Sequence, residues 1–176
     1  YTPRFDADRF ADGTRLAFYD PALGGHRGEE VPLPTHRPGG WIEDHEIALR
    51  VHRNVRAYEL AAYGYDGFWK SPAGMDPGTG LGTFPELSVY GASIRGPVGP
   101  GIGNVEFAWY DSREDDRGDD PFVPNSELRF LAGYEMEVAE DLTLGAQYYL
   151  EHMLDYREYR DGLPVGFPPR KEDRQW

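Results

Sequence analysis

Cysteine is absent from the 176 residues of the chain, and basic side chains are few. Without cysteine there are no disulfide frameworks, thiolate metal sites or cysteine nucleophiles. Lys and Arg number 18 against 31 Asp and Glu, which gives a net charge of −13 at pH 7. Because phosphate binding needs clustered Lys and Arg, we predict that nucleic acid is not a partner.

Long apolar runs are also missing. No segment approaches the roughly 18–20 residues of a membrane helix, so any membrane span would have to be β structure. The chain begins at Tyr1 rather than Met and stops in a polar stretch. We interpret both ends as cuts, so that the chain is a fragment.

Catalytic motifs are lacking too. The sequence contains no P-loop, no dinucleotide-binding glycine motif in a strand-to-helix context and no serine-centred nucleophile elbow. We therefore predict neither a cofactor nor an enzymatic activity.

Strand-like alternation is the strongest positive feature. The even positions of ELRFLAGYEMEV, residues 127–138, are apolar and the odd positions are mostly polar, and residues 142–151 repeat the pattern. Successive side chains of a strand point to opposite faces, so both segments predict long two-faced strands. At about a dozen residues each, they approach the roughly 9–11 residues that cross a bilayer as β structure.

Four further segments alternate in the same way, at residues 43–53, 57–70, 86–95 and 104–112. We predict an all-β fold, an antiparallel up-and-down meander of about six long strands that forms part of a transmembrane β-barrel. The domain is residues 1–176, a single incomplete barrel. Residues 1–40 are predicted to be a long polar lead-in loop, residues 41–153 three β-hairpins and residues 154–176 a polar loop.

Connection lengths alternate as well. Residues 54–56, 96–103 and 139–141 are predicted short turns, whereas residues 71–85, residues 113–126 and the segment from 154 are long. Outer-membrane barrels have short turns at one end and long loops at the other. A β-sandwich has no reason to segregate its loops by length.

AYELAAYGYDGFW at 57–69 and ELRFLAGYEMEV at 127–138 are aromatic-rich strands of this kind. Over roughly residues 41–153 the chain resembles the porin-like outer-membrane β-barrel proteins of Gram-negative bacteria. The resemblance implies a bacterial outer-membrane location, membrane lipid and small polar solutes or ions as partners, a homo-oligomer as one option, and passive passage through a pore. Such barrels have at least eight strands, so six leave two open edges.

If the apolar faces meet lipid, the polar faces line the lumen and favour cations modestly. The candidate lumen residues are Glu59, Glu106, Arg129, Glu135, Glu137, Gln147 and Glu151. A structural alternative is that Arg50, Arg95 and Arg129 pair with these acids across neighbouring strands.

The segment DSREDDRGDD at 111–120 forms an acidic cluster. Its carboxylates are Asp111, Glu114, Asp115, Asp116, Asp119 and Asp120. Hard oxygen ligands suit Ca²⁺ or Mg²⁺, but the spacing does not match a calcium loop, so we favour a solvated external loop. The five histidines lack ligand spacing, and no metal site is predicted.

Three other functions are weighed against the porin-like channel. A soluble β-sandwich could bind carbohydrate on a stacking surface of Tyr63, Tyr65, Trp69 and Trp109. A structural barrel could anchor a partner. The segment EMEVAE at 135–140 loosely resembles the acid-bearing strand of jelly-roll glycoside hydrolases, but its last acid, Glu140, falls in a predicted turn.

Overall fold

The computed structural model describes residues 19–20, 25–26, 35–39, 44–167, 169 and 172–175. Most of the predicted lead-in loop, residues 1–40, therefore lies outside the described residues. Six strands of 9–13 residues dominate the described part. They are β1 (Ile47–Val55), β2 (Tyr58–Phe68), β3 (Glu86–Val98), β4 (Gly101–Ser112), β5 (Glu127–Ala139) and β6 (Leu142–Met153).

The six strands form one sheet in which every strand pairs antiparallel with the next in sequence. This confirms the predicted all-β fold and its six-stranded antiparallel meander. Within the described residues the sheet does not close into a barrel. The other strands have two residues each: Tyr19–Asp20 pairs with Gly25–His26, and Gly74–Met75 pairs with Gly82–Thr83.

Contrary to the prediction, the segment after Met153 is not a polar loop along its whole length. It contains helix α1 (Tyr156–Gly162) and a two-residue strand, Arg174–Gln175, that pairs with β6 at Glu151 and His152. The sequence pattern misses both elements because each is short and polar. No helix in the described part of the chain is long and apolar enough to cross a membrane.

The three short turns are tighter than predicted. Each has two residues, Arg56 with Ala57, Gly99 with Pro100, and Glu140 with Asp141. The first residue of the first two turns and Asp141 of the third have positive φ, between 56° and 59°. Glycine takes this conformation readily, and Asp tolerates it better than most residues.

The prediction that all of 96–103 is a turn is wrong, because only Gly99 and Pro100 form the turn and the residues around them are paired. Gly96 pairs with Gly103, Pro97 with Ile102 and Val98 with Gly101. Proline is tolerated in a strand where its missing N–H faces no partner. The pairing of β2 with β3 ends at Glu59 and Arg95, so β3 extends beyond β2 at Pro97 and pairs there only with β4.

The register staggers the short turns steadily across the sheet. Glu59, Arg95, Asn104 and Gly133 lie in one row. Counted from this row, the hairpin of β1 and β2 reaches one residue further to its turn, that of β3 and β4 three residues, and that of β5 and β6 five to six. From the first hairpin to the third, a stagger of about 4.5 residues at about 3.3 Å each accumulates over four strand spacings of about 4.8 Å. Turns at one level would therefore require the strands to tilt by about 40°.

The largest buried side chains gather at the long-loop end. Phe68, Phe84, Leu87 and Met153 are buried there, and Pro85 is fully enclosed. Backbone hydrogen bonds join the long connections. The N–H of Met75 donates to the carbonyl of Phe122 (2.9 Å), and the N–H of Leu154 donates to the carbonyl of Ser126 (2.8 Å). The long loops therefore build a small cap, while most of the sheet lies outside this core.

Two tyrosines lie over glycines at the short-turn end. The ring of Tyr58 fills the space above Gly96, and its hydroxyl donates to the carbonyl of Pro97 (2.9 Å). Tyr134 lies over Gly101 in the same way, and its hydroxyl donates to the carbonyl of Val98 (3.2 Å). An aromatic ring above a strand glycine supplies the packing that the glycine lacks.

A methyl group at Gly96 should therefore destabilise the sheet. An added Cβ would lie 2.3 Å from the Tyr58 ring, whereas a Cβ at Gly145 would meet nothing closer than 3.8 Å. We expect Gly96→Ala to lower the free energy of unfolding by about 1–3 kcal/mol. The control, Gly145→Ala, should change it by less than about 0.5 kcal/mol. Urea unfolding of the protein in detergent micelles measures both, and equal effects would contradict the Tyr58 packing.

Candidate functional site

The sheet has one apolar and one polar face along most of its length. Directly paired residues of antiparallel strands share a face, so the pairing register assigns each paired side chain to one face of the sheet. The apolar face carries exposed side chains from all six strands, and Leu49 and Leu144 are 64% and 58% exposed. Its members include Leu49, Val51, Leu60, Tyr90, Ile94, Val105, Phe107, Trp109, Phe130, Val138, Leu144 and Tyr148.

Polar side chains bound the apolar face at the long-loop end. Ser88 donates a hydrogen bond to Asp66 (2.9 Å), and Arg113 pairs with Asp66 (3.1 Å) and with Glu86 (3.7 Å). At this level the apolar residues give way to a charged rim.

All seven predicted lumen residues lie on the polar face. The register places Arg129 beside Glu151, Glu59 beside Arg95, and Glu135 beside Gly145. Glu106 and Gln147 lie on this face by the same pairing, as does Glu137 opposite Thr143. The strand parity thus brings together a set that spans residues 59 to 151.

Each of the three arginines on the polar face is held by carboxylates. Arg50 pairs with Glu59 (2.6 Å), and Arg95 reaches over β4 to Glu135 (3.0 Å). Arg129 donates from Nε to Glu127 (2.6 Å) and lies 3.6 Å from Glu151. The cross-strand pairing that was weighed as the structural alternative is therefore present.

Arg129 is the centre of a half-buried cluster near the long-loop end. Its guanidinium lies 3.9 Å from the ring centroid of Tyr110, and the Tyr110 ring packs against Trp69 with centroids 5.9 Å apart. Tyr149 donates from its hydroxyl to Glu151 (2.6 Å). Glu127, the main acidic partner, is only 8% exposed. The parity of β4 and β6 already assigns Tyr110 and Tyr149 to this face, but the clustering depends on the register between strands.

Two adjoining depressions open on the polar face. The larger, about 610 Å³, lies toward the short turns and is lined mainly by polar groups such as Glu59, Arg95, Asn104 and Gln147. The smaller, about 330 Å³, lies toward the loops and is lined by the aromatic side chains of Tyr63, Tyr110 and Tyr149 among others. Tyr63 and Glu106 line both.

The acidic cluster is structured by its own hydrogen bonds. Asp111 belongs to β4, and Glu114 accepts from the N–H of Glu86 (2.8 Å). Asp115 is 5% exposed and accepts from the N–H of Asp119 (3.3 Å) and of Asp120 (3.0 Å). The prediction of a solvated loop is thus wrong for Asp115, because its carboxylate serves as the internal acceptor of the turn.

The remaining acids of the cluster are exposed. Asp119 pairs with Arg117 (3.5 Å), Asp120 accepts from the N–H of Phe122 (2.9 Å), and Asp116 faces solvent. Among the described residues no group of three or more His, Asp or Glu side chains is arranged to hold a metal ion.

The long loop 69–85 is shaped by another carboxylate, Asp76. It accepts hydrogen bonds from the hydroxyl of Thr79 (2.6 Å) and from the N–H of Gly78 (2.8 Å). These two bonds hold the pKa of Asp76 below its usual value because they stabilise the charged form.

The four aromatic residues of the weighed stacking surface do not share a face. Trp109 lies on the apolar face beside Tyr90, with ring centroids 5.8 Å apart. Tyr63, Tyr65 and the Trp69 ring lie on the other side. The predicted surface is wrong in this respect, since Trp109 and Tyr63 have opposite parity in the paired sheet.

The acids of EMEVAE are also separated. Glu135 and Glu137 lie on the polar face, Glu135 is engaged by Arg95, and Glu140 occupies the turn before β6, as predicted. The strand therefore presents an ion pair and a turn acid rather than a spaced set of acids in one cleft.

Comparison with models of protein families, with curated proteins and with solved structures finds no match to this chain.

Removal of Arg129 tests the cluster. Arg129→Met leaves Glu127 without its main counter-charge in a buried position, and we expect a loss of about 2 kcal/mol in the free energy of unfolding. The matched control is Arg50→Met, whose ion pair is nearly half exposed and should cost less than about 1 kcal/mol. Urea unfolding measures both, and a larger loss for Arg50→Met would exclude the assigned role of Arg129.

Proposed function

We propose that the chain forms part of a porin-like β-barrel of the bacterial outer membrane, through which ions or small polar solutes diffuse passively. One observation carries the proposal. The apolar face is exposed across all six strands, and none of the described residues forms a layer that covers it.

The size of this face supports lipid as its partner. The apolar band is six strands wide, at about 4.8 Å per strand, and about eight residues high along each strand. Its area is therefore on the order of 700 Å². Soluble monomers rarely expose a contiguous apolar patch above roughly 300–600 Å². Tyr90 and Trp109 near the loop end and Tyr58 and Tyr134 near the turn end lie where aromatic girdles flank the apolar band of membrane barrels.

The geometry of the strands also supports the proposal. A tilt of about 40° brings the short turns to one level, and membrane barrels have tilts of about 35–45°. The short turns all lie at one end and the long connections at the other. We assign the short turns to the periplasmic side and the capped loops to the outside.

The polar face is then the wall of the channel. The six strands present six carboxylates and three arginines on this face, and each arginine pairs with an acidic side chain. The carboxylates are Glu59, Glu106, Glu127, Glu135, Glu137 and Glu151. The excess negative charge favours cations modestly.

Closure requires strands beyond these six. The outer edge of β1 and the outer edge of β6 up to Leu150 have no backbone partner among the described residues. Because β1 runs toward the turns and β6 runs away from them, an even number of added strands closes the sheet antiparallel. Further chain or a second copy would supply them.

The alternatives have less support. A β-sandwich needs a second sheet to cover the apolar face, and the described residues hold only two-residue strands besides the six. A barrel that anchors a partner shares the fold and differs in conductance.

A charge on the lipid side should be costly. Val105, at the centre of β4 on the apolar face, is 41% exposed, and Asn104 lies beside it on the polar face. We expect Val105→Arg to reduce the stability of the protein folded into lipid vesicles by about 2–4 kcal/mol, and Asn104→Arg by far less. Urea titration of the vesicle-inserted protein tests this. Similar costs at both positions would argue against a lipid-facing Val105.

Conductance tests the channel itself. The purified protein, added to planar lipid bilayers, should produce discrete ion currents and should migrate differently on gels before and after heating. A protein that stays soluble without detergent, shows no heat-dependent migration and passes no current would refute the proposal. A heat-modifiable protein that passes no current would favour an anchoring barrel.

A further inference from the structure

The smaller depression on the polar face is a slot with aromatic walls and a floor of small residues. In the row Tyr63, Gly91, Ala108 and Arg129, the two central positions carry almost no side chain. Tyr63 lies on one side of this gap, and Tyr110, Leu131 and Tyr149 lie on the other. The slot exists because glycine and alanine occupy adjacent positions of β3 and β4 between large neighbours.

One carboxylate lies at the rim of the slot that faces the short turns. Glu106 is in the next row toward the turns, between Ser93 and Leu131. It is exposed, lines both depressions and makes neither an ion pair nor a hydrogen bond with another described residue. The acids Glu59, Glu127, Glu135 and Glu151 each lie within 4 Å of an arginine.

The arginine of the slot does not cancel this charge. Arg129 lies against Tyr110 and is held by Glu127 and Glu151, so its charge is already compensated. The slot thus combines an uncompensated carboxylate with tyrosine rings. Arg129 already covers one face of Tyr110 and Arg50 lies over the Tyr63 ring, so Glu106 would hold the charge of a bound cation and the rings would supply apolar walls. The groups nearest to a bound molecule would be Tyr63, Glu106, Tyr110 and Tyr149.

We propose that this slot binds small organic cations, molecules in which an ammonium group is attached to a flat apolar body. The ammonium lies against Glu106, and the apolar body lies on Ala108 and Gly91 between the tyrosine rings. The inference deepens the proposed channel function by naming a class of solute, and it rests on that function for its physiological meaning. The slot itself belongs to the sheet face and needs no closed barrel.

Binding is testable with benzylammonium as the probe and the full chain folded in detergent micelles. An NMR titration that follows the ring protons of the aromatic probes and the methyl protons of methylammonium should give tighter binding for benzylammonium than for methylammonium, which lacks the ring, and than for benzyl alcohol, which lacks the charge. Benzoate should bind most weakly. Equal affinity for benzoate and benzylammonium would overturn the proposal.

Variants then locate the site. Glu106→Gln should weaken benzylammonium binding about threefold to fivefold and leave benzyl alcohol unchanged, as expected for one exposed charge pair. Glu137→Gln removes a charge from the same face outside both depressions, and it should leave the benzylammonium affinity unchanged. An equal loss in both variants would mean diffuse attraction to the acidic face, and the proposal would fail.

Filling the floor supplies an independent readout. Ala108→Leu should abolish binding of both benzylammonium and benzyl alcohol. If this variant does not fold, Tyr149→Leu replaces it and should weaken both probes. Unchanged binding in the folded variant would overturn the slot.

Conductance separates this inference from the proposed function. Ion currents without benzylammonium binding would refute the slot and leave the channel. Probe binding with the expected variant pattern, but without currents, would support the slot and refute the channel.

Discussion

The rest of the structure depends on one constraint, the pairing register that keeps the apolar side chains of all six strands on the same face of the sheet. Along most of each strand every second residue is apolar, with Arg53 of β1 as an exception on this face, and the pairing brings these positions level from β1 to β6. The register shifts between β5 and β6 at Leu142 and Thr143, which lie beside a turn. Since a slip of one residue would move a whole strand's apolar set to the other face, the pattern itself holds the register.

Because of this register, the apolar side chains of the six strands lie together on a face that the described residues leave uncovered. The cap at the long-loop end buries Phe68, Phe84 and Leu87, but the apolar side chains along the strands stay exposed. In water these side chains contribute nothing to folding, because apolar area stabilises the fold, by about 25 cal/mol per Å², only when it leaves water. In hydrocarbon the same face costs nothing, while the sheet satisfies the backbone groups that lipid cannot. The proposed membrane location would therefore reconcile the exposed apolar face with a fully paired backbone.

Much of this architecture could be predicted from the sequence, because strand parity is local. Parity alone put residues as distant as Glu59 and Glu151 on one face. The ladder through Gly96, Pro97 and Val98 could not be predicted, since the tolerance of Pro97 depends on where β2 ends. The burial of Asp115 and the clustering of Arg129 with Tyr110 likewise depend on contacts between distant segments.

The charges of the polar face divide into two kinds, and the division matters more than their number. Arg50, Arg95 and Arg129 each hold one or two acids, so these groups contribute dipoles along the wall and little net charge. Glu106 and Glu137 have no ion-pair partner among the described residues and carry two of the three excess negative charges of the face. The third belongs to the pair of acids that share Arg129. Glu106 is at the centre of β4, beside the slot lined by Tyr63, Tyr110 and Tyr149, whereas Glu137 is near the last short turn. In the proposed channel, an ion or solute moving along the polar face would therefore meet the unpaired charge of Glu106 at the same level as the slot that can hold an apolar group.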